Sequence, residues 1–336
     1  MMSLAHFIDT LYGFLFLIPS PNNILCIISS NSSFSECVRK LINPSFKTLL
    51  STNDIINPRC PGYSTEGLCL YGTQTVALSD GGSYLFTDSK FKDCYNARYG
   101  GAIDQKNGHL TILRCLFDSC SCGTKGGGVS FQSSGLCKQE DNLYVGCSSS
   151  QYSGAFDSWD TSLNPHHTQK RCVYIRSTAE RAYAHYCIEY SPEIKINSNV
   201  YICGRAKSNE YAGAVVNWHP QGETVYSNCL FVDGQAYNSG GLSFMSVKQY
   251  TSATYSIQFC FFVKNYGTDN SAREIYFNQY TSQKAKQELI VHSFSATPGS
   301  TVYLEHSDQE KNWLPLTNIY VDLPSVGTSN LETSSY

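Results

Sequence analysis

The sequence is poor in charge. Only 15% of its 336 residues are Asp, Glu, Lys or Arg, too few for a disordered chain or a coiled coil. Nor is either sign in excess: 24 Lys+Arg against 27 Asp+Glu leave a formal net charge of −3. Binding to a phosphate backbone needs basic residues that release counterions, so no nucleic-acid partner is expected. Long apolar runs are missing too. The stretch Leu11 to Ile18 falls well short of the ~18–20 residues that cross a bilayer, so no transmembrane segment is expected. No G-x-S-x-G elbow is present, and no Walker lysine follows Gly126-Gly127-Gly128.

What the chain has instead is glycine (25), tyrosine (24) and cysteine (15). This is the composition of a turn-rich, aromatic-rich, all-β protein. Fifteen cysteines is heavy for a reducing compartment, and an odd count leaves at least one thiol unpaired or paired with another chain. The N-terminus reads two ways. Leu11 to Ile18, ending at Pro19-Ser20, has the length of a signal-peptide core but no Lys or Arg before it. Leu4, Phe7, Ile8, Leu11, Leu15 and Ile18 keep helical spacing, and a short packed helix is the preferred reading.

A repeat runs through the middle. An aromatic residue recurs at Phe91, Phe117, Tyr144, Tyr174, Tyr201, Phe231 and Phe262, at intervals of 26–31 residues. Two positions earlier stand Ser89, Cys115, Asn142, Cys172, Asn199, Cys229 and Cys260. Ten positions later stand Gly101, Gly127, Gly154, Ala184, Gly241 and Ala272, and only the Tyr201 unit departs, its Gly213 coming two residues late. Around each anchor the side chains alternate with period two, and β-branched and aromatic residues dominate. Three short strands and three turns per unit make one coil of a parallel β-helix, in which equivalent residues stack in ladders ~4.8 Å apart. The expectations are an aromatic ladder, a Cys/Asn ladder with asparagines bonded to one another, and a glycine turn of positive φ at plus ten.

The units resemble the repeats of polymorphic outer membrane proteins. Gly100-Gly101-Ala102-Ile103 matches their GGA-[ILV] segment and Phe262-Val263-Lys264-Asn265 their F-x-x-N segment. The commoner form here, aromatic-x-x-Cys at Cys94, Cys120 and Cys147, departs from that pattern, as do Ser177 and Gly234 in the same slot. The chain is also similar to the wider right-handed, pectate-lyase-like β-helices. The resemblance, over roughly residues 70–320, implies a right-handed parallel β-helix at a cell surface or secreted, used in adhesion, with no shared active site. The expected layout is an N-terminal cap over 1–60, about nine rungs of 26–31 residues over 61–323, and a disordered tail over 324–336. The Ser35 to Leu41 stretch reads as helical within the cap, and 289–323 as a terminal rung.

Chemistry is sparse. Enzymes of this fold cleave acidic polysaccharides, but the polygalacturonase-like N-T-D, D-D, G-H-G and R-I-K segments are absent. The Gly-small pairs are followed by a row holding Asp104, Ser130, Asp157, Val216 and Ser243. Asp104 and Asp157 would share a face two rungs apart, with Lys106 beside them, most simply as solvated polar groups rather than as a catalytic or Ca²⁺ pair. Cys120-x-Cys122 with Cys115 and His109 lacks dependable zinc spacing, and buried thiols are the better reading. His166-His167 reads as a polar loop. No metal or cofactor is therefore expected.

With only three tryptophans, the placement of two is informative. Trp159 and Trp218 fall at neighbouring positions after the glycine pair, with Tyr190 and His219 close by. Aromatic faces along a solenoid stack on sugar rings or seat a protein partner. The expected function is non-enzymatic recognition of carbohydrate or protein through Trp159, Trp218, His219 and Tyr190. A polysaccharide lyase or glycoside hydrolase, and an intracellular scaffold, are the alternatives, with a cytoplasmic location as the alternative to the cell surface.

Overall fold

The computed structural model describes strands at 13–17, 25–29, 65–66 and 69–71, and residues 75–159, 166–181, 185–206, 215–218, 222–237, 239–245, 253–267, 273–279, 287–295, 301–306 and 311–315. Contacts divide the chain into Met1–Asn53 and Asp54–Tyr336. In the first unit, Gly13–Leu17 pairs antiparallel with Leu25–Ser29. The apolar stretch expected to be helical is therefore a strand at its end, the β-branched Ile27 and Ile28 of its partner favouring extension. Ser35 to Leu41 and the tail 324–336 lie outside the described residues. No helix among the described residues is long and apolar enough to cross a membrane.

The second unit is a parallel β-helix. Each full turn carries four strands, as in Leu136–Glu140, Leu143–Val145, Ser148–Ser149 and Phe156–Ser158. Each pairs in parallel with its equivalent in the turns before and after. Three strands per turn were expected. The fourth arises because a residue in the left-handed region splits one face in two. The split falls three positions before each aromatic: Asp88, Arg114, Asp141, Arg171, Ser198, Asn228 and Phe259 all have φ between 52° and 57°. A second left-handed corner follows two positions after the aromatic, at Asp93, Ser119, Gly146, Arg176, Cys203, Asp233 and Lys264. The two-residue strands form a sheet of seven, Tyr95–Asn96 to Tyr266–Gly267, which bounds about six turns rather than nine. Beyond those limits the chain pairs on fewer faces. The last described strands, Thr301–His306 and Lys311–Pro315, pair antiparallel.

The aromatic ladder fills the core. Seven fully buried rings from Phe91 to Phe262 stack with centroids 4.5–5.1 Å apart and planes within 16°. Stacked rings bury large area with defined geometry. Two of the three tyrosines find a partner on the neighbouring strand: Tyr144 and Tyr174 donate to Gln139 and Gln169 at 2.7 and 3.2 Å, whereas Tyr201, beside Ile196, accepts from Asn199 at 3.0 Å. Where Ile112 and Ile257 hold the equivalent position, the ring is Phe117 or Phe262.

The cysteines follow from the corners. A left-handed residue brings the next side chain back onto the preceding carbonyl, which also accepts a backbone bond from the turn before, as Leu113 O does from Asp88 N at 3.1 Å and Asp118 O from Asp93 N at 2.9 Å. Cys115 donates to Leu113 O at 3.3 Å, Cys120 to Asp118 O at 3.6 Å and Cys229 to Ser227 O at 3.3 Å. Cys94, Cys147, Cys172 and Cys260 do the same at 3.5–3.8 Å, as does the Ser89 hydroxyl at 2.9 Å. A thiol is small, apolar and a weak donor, which suits a buried corner. Among the described residues eleven cysteines are free, ten of them buried.

Two expectations need correcting. The asparagines do not bond to one another, because Cys172 separates Asn142 from Asn199 in the ladder. Each instead clamps the preceding turn. Asn142 accepts from Cys115 N at 2.9 Å and donates to Ile112 O at 2.9 Å. Asn199 accepts from Cys172 N at 2.8 Å and donates to Gln169 Oε1 at 2.7 Å. The positive-φ turn, in turn, falls at plus nine, at Gly100, Gly126 and Ser153. Gly101 at plus ten is required by close approach, since a Cβ there would sit 2.2 Å from Gly127 O.

Candidate functional site

The outward side of the ten-stranded sheet carries two rows. In the first, register aligns Asp104, Ser130, Asp157, Cys187, Val216, Ser243 and Tyr276. This row is not solvated, contrary to expectation: Asp104 is 7% exposed and Asp157 fully buried. The chain between the two-residue strands and this sheet explains the difference. It folds back over the row, with Tyr99, Lys125 and Tyr152 bridged in parallel as a ladder of their own. Cys187, Val216, Met245 and Tyr276 form a small apolar cluster there, against which Tyr152 and Trp218 pack.

Asp104 and Asp157 stand two strand spacings apart, about 10 Å, with Ser130 between them. One Ca²⁺, with ligand bonds of about 2.3–2.6 Å, does not reach both from that separation. Each carboxylate has an Oδ1 that is buried and without a hydrogen-bond partner, and burial pushes both pKa values up. Ser153 donates to the other oxygen of Asp157 at 2.6 Å.

The second row, one pleat further along, holds the predicted tryptophans. Trp159 follows directly after the Ser158–Ile188 pair, so it stands beside Glu189, which pairs with Trp218. The two indoles thus flank Glu189 at two strand spacings, ~10 Å. Both rings are half-buried. Tyr190 ends its strand in the left-handed region, φ 56°, and its N–H bonds to Trp218 O at 2.9 Å. Its side chain is half-buried too, and burial and then Glu189 raise its pKa. His219 lies outside the described residues, as do residues 160–165.

Lys125, Glu189 and Tyr152 complete this site and were not singled out in the sequence. The Lys125 ammonium lies 3.1 Å from Glu189 Oε1, 4.2 Å from the centre of the Trp159 ring and 5.2 Å from that of Tyr152. Tyr99 packs on Trp159 at 5.7 Å between centroids. The Lys125 and Glu189 side chains each keep only 14% exposure. Burial opposes the charge on Lys125, but Asp157 first and Glu189 second outweigh it and push the pKa up to about 12. Burial raises Glu189 to about 7, against the pull of Lys125. One ammonium thus serves two carboxylates, beneath an aromatic wall. The one sequence signal for Lys125 was its place in the glycine run 123–128.

The other candidates are dispersed. Cys115 and Cys120 follow different corners, Cys122 sits in the seven-stranded sheet, and His109 Nδ1 accepts from Leu136 N at 2.9 Å. His166 and His167 belong to a strand, His166–Lys170, and not to a polar loop. His166 faces Glu193 at 3.3 Å, whereas His167 is 1% exposed and bonded to Ser158 Oγ at 2.9 Å.

No family model, no curated protein and no solved structure matches this chain.

Proposed function

We propose that this protein is a non-enzymatic β-helix, displayed at a surface or secreted, that recognises a glycan through the outward face around Trp218, Glu189 and Trp159. The observation that carries this reading is the row itself: two half-buried indoles in register on either side of a carboxylate, ~10 Å apart. That span suits two sugar rings, whose C–H faces pack on aromatic surfaces while a hydroxyl bonds to the acid between them. Trp218 is the principal platform, because Lys125 lies over the Trp159 ring. The GGA-I and F-x-x-N segments support a kinship in design with the polymorphic outer membrane proteins, and so an adhesive role.

One observation favours a second reading, a glycoside hydrolase or lyase. Glu189, held near 7 by burial, has the protonation behaviour of a general acid. Against it, the nearest second carboxylate, Asp157, is fully buried, and the paired-carboxyl mechanisms need both groups at the sugar. The test is binding to an immobilised glycan panel, with released reducing ends and unsaturated products followed in parallel. The proposal expects a bound glycan, no turnover, and loss of binding in Trp218→Ala. Turnover abolished by Glu189→Gln would replace it with the hydrolase reading.

A further inference from the structure

The charge around Lys125 does not balance. Glu189 Oε1 pairs with the ammonium at 3.1 Å, and Asp157 acts on the same cation from below. Asp157 is fully buried, and its Oδ1 has no hydrogen-bond partner among the described residues. The second oxygen of Glu189 has no partner among the described residues either, and it is not among their buried unpaired atoms. Two carboxylates thus share one ammonium, so with both ionised the site is one positive charge short, and a cation that fills the deficit would sit at Glu189, between the two indoles. A tight glycine segment holds Lys125 in place. A Cβ on Gly123 would lie 2.1 Å from Ala97 O, and one on Gly127 2.1 Å from Gly154 O. The cage is thus set before any ligand arrives.

Resting on the glycan-recognition reading above, we propose that this face selects sugars bearing a free, cationic amine, such as oligomers of glucosamine. A ring stacked on Trp218 would direct its ammonium to the free oxygen of Glu189, one strand spacing away. There it meets the acidic excess of Glu189 and Asp157 and the aromatic faces that already hold the Lys125 ammonium. An uronate in the same place would meet two carboxylates, and an N-acetylated sugar would bring no charge.

The test compares chitotetraose of free glucosamine, its fully N-acetylated form and tetragalacturonate, titrated against the full chain near neutrality, where the sugar amine and Glu189 both carry charge. The expected order is free amine first, by roughly 10- to 100-fold over the acetylated form, as befits a charge-assisted hydrogen bond. Glu189→Gln should erase that ratio, lowering the affinity for the free amine far more than the affinity for the acetylated form. Equal binding of the two forms, or preference for the uronate, lost in both cases with Trp218→Ala, would overturn the amine selectivity and leave the glycan face standing. Binding of none of these sugars, nor of any on a wider panel, would overturn both.

Discussion

Replacing His185 by phenylalanine should stabilise the protein, and more so in acid. His185 is fully buried between Tyr174 and Tyr201, with ring centroids at 6.2 Å from each. Neither of its ring nitrogens has a hydrogen-bond partner among the described residues. A buried polar atom left unpaired costs about 1–3 kcal/mol, and a phenyl ring of similar shape removes that cost. Burial and then Arg205 push the His185 pKa down from 6.5 to about 3, against a weaker pull from the Ile202 backbone. A depressed histidine binds its proton more readily when unfolded, so stability is complete above pH 6.5 and drains away as pH falls towards 3. Each pH unit in that window is worth up to about 1.4 kcal/mol, or about 2 kcal/mol between neutrality and about pH 5. A phenyl ring does not titrate, so the variant escapes this loss. Urea unfolding of both proteins at about pH 7.5 and about pH 5 measures the difference. The gap between their midpoints should favour the variant at both and widen by the equivalent of roughly 2 kcal/mol at the lower pH. A gap that does not change with pH would refute the claim that this histidine is buried and neutral.

Further outcomes follow from the corners and the stacking. Gly101→Ala drives a Cβ to 2.2 Å from Gly127 O and should lower the melting temperature severely, by several kcal/mol of stability. Gly146→Ala meets nothing nearer than Ser119 Oγ at 3.8 Å and bears only a left-handed φ of 60°, so about 1–2 kcal/mol is expected. Equal melting curves for the two would contradict the close-approach argument. Asn142→Leu strands Cys115 N and Ile112 O and should cost about 2–4 kcal/mol in chemical denaturation. Thiol labelling with peptide mapping should find Cys203, the half-buried member, reacting before the ten buried cysteines. Those become reactive only on unfolding, their thiolates being disfavoured by burial. A Cys94–Cys120 or Cys120–Cys147 bridge in non-reducing mass spectrometry would count against the corner role of these thiols.

The repeat was legible because a β-helix writes each turn at fixed offsets, and a stacked ring at Phe117 or Tyr174 tolerates few substitutes. The ladder, the buried thiols and the two-rung spacing of Trp159 and Trp218 could all be read from that numbering alone. The fourth strand could not, because Asp88, Arg114 and Asp141 carry ordinary polar side chains into the left-handed region where glycine is the usual signal. Alternate corners are held by ion pairs across one turn: Arg114 grips Asp88 and Arg171 grips Asp141, each through two bonds of 2.7–2.8 Å. Spacing by itself does not reveal such pairs. The burial of Asp157 and the meeting of Lys125 with Glu189 were hidden for another reason. They depend on a connecting segment folding back over the sheet, which brings together residues 64 positions apart. Periodicity describes the strands and is silent about the path between them. His167 was misplaced because an insertion before it disguised the strand.

The most direct test of the recognition face uses a protein whose sole indole is Trp218, made by Trp159→Phe and Trp313→Phe. Its fluorescence is quenched with acrylamide before and after saturation with the tightest-binding glycan of the panel. The account predicts partial quenching of the free protein, matching a half-buried ring, and marked protection with an emission shift once the sugar covers it. Unchanged quenching while the glycan is demonstrably bound would place recognition elsewhere on the solenoid.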